Sequence, residues 1–205
     1  DLYVYNRGCL SSEKEFTVSC STVKTRTGAI VSAPGIAVDA SGDVNIESGS
    51  KSCFKSLGGK NLTISGNSKL STDTLDDFSD IKIQNSSNLT ASGESSISCG
   101  AVEVNSGSEV SAPGIEVEAS GNVNIESGSK SCFKSLGGKN LTVQSGADLT
   151  LDTLGNVDNI TVMNSSNLDV KEASSISSGA IGVSYTSKFD APKLTVKAGG
   201  DVTVE

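Results

Sequence analysis

Pairs of aliphatic residues separated by one polar residue recur along the whole chain, and this period of two marks a β-strand with one buried face. The pairs stand at Leu2/Val4, Val44/Ile46, Leu62/Ile64, Ile81/Ile83, Val102/Val104, Val123/Ile125, Leu141/Val143, Ile160/Val162, Ile181/Val183 and Val202/Val204. Val23 with Thr25 is a weaker member of the series. From Leu2 onward the steps are 21, 21, 18, 19, 21, 21, 18, 19, 21 and 21 residues. The pattern predicts coils of about twenty residues, each opening on one of these strands.

Two more apolar pairs follow inside each coil. From Ile81 they are Leu89/Ala91 and Ile97/Cys99, and from Val102 they are Val110/Ala112 and Ile115/Val117. Each coil is therefore expected to hold three short strands, separated by Ser, Gly, Asn and Asp, which tolerate positive φ or hydrogen-bond their own backbone. Pro34-Gly35 and Pro113-Gly114 fall between the second and third strands, where a tight turn with a left-handed glycine is expected. The corresponding pair at 192–193 is Pro-Lys, so that corner turns differently.

The letters themselves repeat. Residues 44–63 and 123–142 both read VNIESGSKSCFKSLGGKNLT, an offset of 79 that also relates Pro34, Pro113 and Pro192. Steps of 19, 21, 21 and 18 together span one such unit, so the unit is four coils. A fixed period of this kind identifies a repeat architecture. The predicted fold is all-β, a right-handed parallel β-solenoid forming one domain over 1–205. Its repeat units are 32–110 and 111–189, with partial units 1–31 and 190–205. At about 4.8 Å between strands, about ten coils make a rod roughly 48 Å long. Strands at Leu2–Tyr5 and Val202–Val204 stand at the two ends without a capping segment, so an uncapped piece of a longer array is expected.

Composition fits a column better than a layered core. Only 35% of residues are hydrophobic, 4% are aromatic and none is tryptophan, which is thin for a two-layer domain. A solenoid needs less, because each inward side chain stacks on its counterpart one coil away. Of the five cysteines, Cys20/Cys99 and Cys53/Cys132 are each 79 apart. Four coils separate the members of each pair by about 19 Å, whereas a disulfide needs Cα atoms within ~7 Å. All five are expected to be unbridged small hydrophobes in the stacks, Cys9 with Cys20 being the one conceivable bridge.

Chemistry is sparse. The chain has no histidine, which removes Ser-His-Asp and Cys-His catalysis and the commonest nitrogen ligand of zinc. Asp73, Asp76, Asp77 and Asp80 read as a solvated acidic corner rather than the paired carboxylates of a glycosidase, and no enzyme activity, metal or cofactor is expected. The formal net charge of −8 disfavours nucleic acid, and no apolar run is long enough for membrane insertion in this segment. Asn-x-Ser/Thr sequons occur at Asn61, Asn85, Asn88, Asn140, Asn159 and Asn164; they matter only in a secretory context.

One surface feature stands out. Lys51, Phe54, Lys55 and Lys60 return as Lys130, Phe133, Lys134 and Lys139. A recurrent docking patch for protein or glycan partners is one reading; a phenylalanine filling the corner of a shortened coil, solvated by lysines, is the other. Leu57 shares the strand parity of Cys53, so parity leaves open whether Cys53 or Phe54 points inward.

Asn140-Leu-Thr-Val-Gln-Ser-Gly-Ala-Asp-Leu-Thr-Leu151 and Leu194-Thr-Val-Lys-Ala-Gly-Gly-Asp-Val-Thr-Val204 resemble the repeats of filamentous-haemagglutinin-like and autotransporter-type β-helix exoproteins. The resemblance implies a secreted rod carrying adhesive or toxin-delivering ends at a bacterial surface, with no catalytic residues in the shaft. The expected function is a structural shaft or adhesin segment of an extracellular or cell-surface fibre. A filament subunit self-associating through its ends or sides is the alternative, and a carbohydrate-active β-helix enzyme, disfavoured by the short turns, is the third reading.

Overall fold

The computed structural model describes residues 1–205. The chain is all-β, with no helix, and its strands stack in parallel as about ten turns of about 20 residues. The opening strands pair in the register the apolar pairs set. Leu2, Val23, Val44, Leu62, Ile81, Val102, Val123, Leu141, Ile160, Ile181 and Val202 form one continuous column. Their neighbours two residues on form a second inward column, and from Val23 to Val183 these two columns are buried. One continuous core cluster runs along the rod from Val23 to Val183.

After each opening strand from Leu2–Val4 to Ala180–Val183 the chain turns through two consecutive residues of positive φ. Ser106/Gly107 and Ser127/Gly128 are typical, Asn85/Ser86 and Asn164/Ser165 do it without glycine, and Tyr185/Thr186 is the least suited pair. A left-handed L-residue costs ~1–2 kcal/mol, least for Asn, so the corner selects for Gly and Asn. The next residue points inward at a place with little room. It is Ala29, Ser50, Ser68, Ser87, Ser108, Ser129, Ala147 or Ser166, all fully buried. Several serines use the hydroxyl to satisfy the coil below. Ser87 Oγ accepts the Ser68 N–H and Ser108 Oγ accepts the Ser87 N–H, each at 3.2 Å. Ser166 Oγ accepts the N–H groups of Gly146 and Ala147 at 3.1 Å. A buried amide thus keeps a partner where the corner breaks the ladder.

The Pro-Gly corners differ from expectation. Ile30–Ala40 and Glu109–Ala119 run unbroken through them, and neither Gly35 nor Gly114 is left-handed. Glycine is needed there for close approach: a Cβ on Gly35 would lie 2.8 Å from the Lys14 carbonyl oxygen of the adjoining coil.

The corner also settles the parity question. Ala33 pairs with Phe54 and Ala37 with Ser56, four residues on one coil matching two on the next. Parity inverts across that step, so Phe54 and Leu57 both point inward and Lys55 outward. One phenylalanine spans the corner that Ala33 and Ile36 fill together in the preceding coil, and this accounts for the shortened coil. Phe133 repeats the arrangement against Ala112. At the third corner Gly59 makes room for buried Phe78. A Cβ there would meet Val44 Cγ2 at 2.8 Å and Phe78 Cε1 at 3.2 Å.

All five cysteines are free, yet only Cys99 is buried as expected. Cys9 is exposed, and Cys20, Cys53 and Cys132 are half-buried. Cys53 and Cys132 alternate outward because Ser52/Phe54 and Ser131/Phe133 take the inward positions of their strands.

Candidate interaction surface

The lysine–phenylalanine motif does not assemble into one patch. Phe54 and Phe133 are core residues, 1% and 5% exposed, because each fills a corner of the column. The lysines are spread around the coil. Lys51 and Lys130 open the second strand, Lys55 and Lys134 stand at the next corner, and Lys60 and Lys139 at the corner after that. Lys55 lies 2.9 Å from Glu15 and Lys134 2.9 Å from Glu116. The hydrogen bond to Glu15, then its charge and that of Asp73, hold the Lys55 ammonium above the ordinary lysine pKa. Glu116 does the same for Lys134, with Glu94 and Asp152 adding to it. These corner lysines sit in charge ladders with carboxylates one or two coils away, and such exposed pairs contribute little stability.

Lys51 and Lys130 belong to a different surface, the outer face of the second sheet. Two columns of outward side chains run along it. The first is Cys9, Ile30, Lys51, Lys69, Asn88, Glu109, Lys130, Asp148, Asn167 and Lys188. The second, beside it, is Ser11, Ser32, Cys53, Ser71, Thr90, Ser111, Cys132, Thr150, Asp169 and Asp190. Small side chains in the second column beside long ones in the first leave two shallow troughs. One, of about 400 Å³, is lined by Lys51, Cys53, Lys69 and Thr90 among others. The other, of about 510 Å³, holds the residues 79 further on, including Lys130, Cys132, Asp148 and Asp169.

The troughs are lined by equivalent positions and are opposite in charge. The first has Lys51 beside Lys69 and no carboxylate. The second sets Lys130 among Glu109, Asp148 and Asp169. Both thiols stand half-exposed on their floors, and burial first, then the charge of Asp73, raises the pKa of Cys53. Sequence reading missed this face because its members lie 18 to 21 residues apart; the coil steps carried the signal that could have found it.

A third concavity, about 640 Å³, lies at the corner of Asp77, Phe78, Cys99 and Glu118. One of its two carboxylates has a structural duty. Asp77 Oδ1 accepts the Ser98 N–H at 2.8 Å, replacing the ladder carbonyl missing where the chain leaves the strand after Leu75. Asp73, Asp76, Asp77 and Asp80 are all exposed, as a solvated corner requires. Among the sequons, Asn61 donates to Asp43, Asn140 to Asn122 and Asn159 to Asn140, each at 2.8 Å, so these amides are parts of a polar ladder along the rod.

No family model, curated protein or solved structure matches the chain.

Proposed function

We propose that the chain is a shaft segment of an extracellular or cell-surface fibrous repeat protein, structural or adhesive in role. The carrying observation is the unbroken register of the opening-strand column from Leu2 to Val202, which makes each coil a spacer for the next. Corners of two left-handed residues leave the rod smooth, and the outward carboxylates at Glu15, Glu116 and Asp77 are engaged in ladders. Smooth rods suit a load-bearing or displaying role, because stability in such arrays is a sum over neighbouring coils. The resemblance in Asn140–Leu151 and Leu194–Val204 favours a surface location.

Immunogold labelling of intact source cells with antibody to this segment tests the location, with label expected on external fibres. Incubation with uronic-acid and neutral polysaccharides tests the rival chemistry. Release of new reducing ends, or label confined to the cell interior, would overturn the shaft reading.

A further inference from the structure

We propose that two copies of this rod pair side by side and antiparallel through the outer face of the second sheet, basic trough against acidic trough. The inference stands apart from the shaft reading, since an unpaired rod would still be a shaft. The troughs are equivalent sites about 19 Å apart on one face, and their charges are complementary: Lys51 and Lys69 in one, Glu109, Asp148 and Asp169 around Lys130 in the other.

A twofold axis parallel to the strands, between the coils of Asn88 and Glu109, superposes the two sites. It sets the coil of Ile30 on that of Asn167, Lys51 on Asp148, Lys69 on Lys130 and Asn88 on Glu109. Such an axis keeps each outward column facing its own kind. The small column Ser32, Cys53, Ser71 and Thr90 then lies against Asp169, Thr150, Cys132 and Ser111. Lys51 meets Asp148, and Asp169 arrives one coil from it. Lys69 comes opposite Lys130, but Glu109 and Asp148 flank that lysine in register, so the local field Lys69 meets is negative. Every contact occurs twice, and the pairing closes as a dimer. Parallel pairing would instead set basic trough against basic trough and acidic against acidic, a like-charge juxtaposition that interfaces avoid.

Eight coils give a contact strip about 38 Å long. Two columns wide, it falls at the small end of specific interfaces, so the pair is weak and salt-sensitive. Sedimentation velocity of the 205-residue chain over a concentration series should show a monomer–dimer equilibrium at low salt that dissociates in ~1 M salt. K51E/K69E, and separately E109K/D148K/D169K, should weaken dimerisation at least about tenfold, and a one-to-one mixture of the two variants should restore it. All five positions face outward, and circular dichroism confirms that the variants fold. Orientation is read by cross-linking under mild oxidation, in a chain keeping Cys53 with the other four cysteines changed to serine. T150C should then yield an intermolecular disulfide, and the same chain without T150C should not. A Cys53–Cys53 cross-link without T150C, a chain that stays monomeric, or association untouched by K51E/K69E and by salt would each overturn the proposal.

Discussion

Phe54→Ala tests whether the ring is a core element or part of a surface motif. Removing a buried phenylalanine to alanine costs ~3–5 kcal/mol, the spread reflecting how far the site collapses. At Phe54 the column neighbours are Ala33 and Thr72. Ala33 is too small to lean in, and Thr72 is tied by its hydroxyl, which donates to the Lys55 and Thr74 carbonyls at 3.3 and 2.8 Å. The cavity stays open and the loss should be near ~5 kcal/mol. At Phe133 the neighbours are Ala112 and Leu151. Leu151 fills part of the void, so Phe133→Ala should cost nearer ~3 kcal/mol. The sites lie four coils apart and share no partner, so the double variant should be additive within ~0.5 kcal/mol. Urea unfolding followed by circular dichroism gives the totals. Repeat arrays depart from two-state behaviour, so hydrogen exchange of the amides over Lys51–Leu75 locates the weakened coils. A Phe54→Ala loss below ~1 kcal/mol would refute the reasoning, because it would put the ring outside the column.

Cys99 is buried, and burial first, then Asp80 and Asp77, pushes its thiol from the ordinary 9.0 up to about 11. Above pH 9.0 the unfolded chain releases a proton the folded chain keeps, so stability should fall by up to ~2–3 kcal/mol as pH rises to about 11. Cys99→Ser should flatten that slope in pH-dependent urea titrations, Ser178 already occupying the equivalent position. Ser87→Ala should cost ~1–3 kcal/mol by stranding the Ser68 N–H, whereas Ser68→Ala should be close to neutral in thermal melts, because its own Oγ has no partner. Gly59→Ala should destabilise by ~1–3 kcal/mol against Val44 and Phe78, while Gly182→Ala, with nothing within 4 Å, should be neutral or slightly stabilising.

Coil starts were legible because burial on one face enforces strict alternation, and Val44, Leu62, Ile81 and Val102 follow it without exception. Corners were harder. The left-handed pairs are written as Asn-Ser, Ser-Gly, Gly-Asn and even Tyr-Thr, so no one letter announces them. Pro-Gly looked like a turn, but at Gly35 the constraint comes from a carbonyl 21 residues earlier, at Lys14. Parity failed between Phe54 and Leu57 because a corner, unlike a strand, can absorb an odd step. The letters left two readings of the lysine motif open for a related reason: the partners of Lys55 and Lys134 lie 40 and 18 residues away in sequence, where only the coil geometry brings them close.

Comparison of the two repeat units separates what the column demands from what the surface is free to change. Most inward leucines and isoleucines persist, Leu70 as Leu149, Leu75 as Leu154, Leu89 as Leu168 and Ile97 as Ile176, and where an inward residue changes, as Thr72 to Leu151 or Cys99 to Ser178, it stays buried and uncharged. Outward positions on the same strands change sign or gain charge: Lys69 becomes Asp148 and Thr90 becomes Asp169. An outward lysine on a solvated sheet face is worth little to the fold, so Lys69→Asp should alter stability by less than ~0.5 kcal/mol. The same change removes half the positive charge of the first trough. Stability is thus set inside the rod, by stacking that any coil can supply. Under the proposed pairing, recognition falls to the outer columns, where one substitution alters what a face attracts without disturbing the coil beneath it.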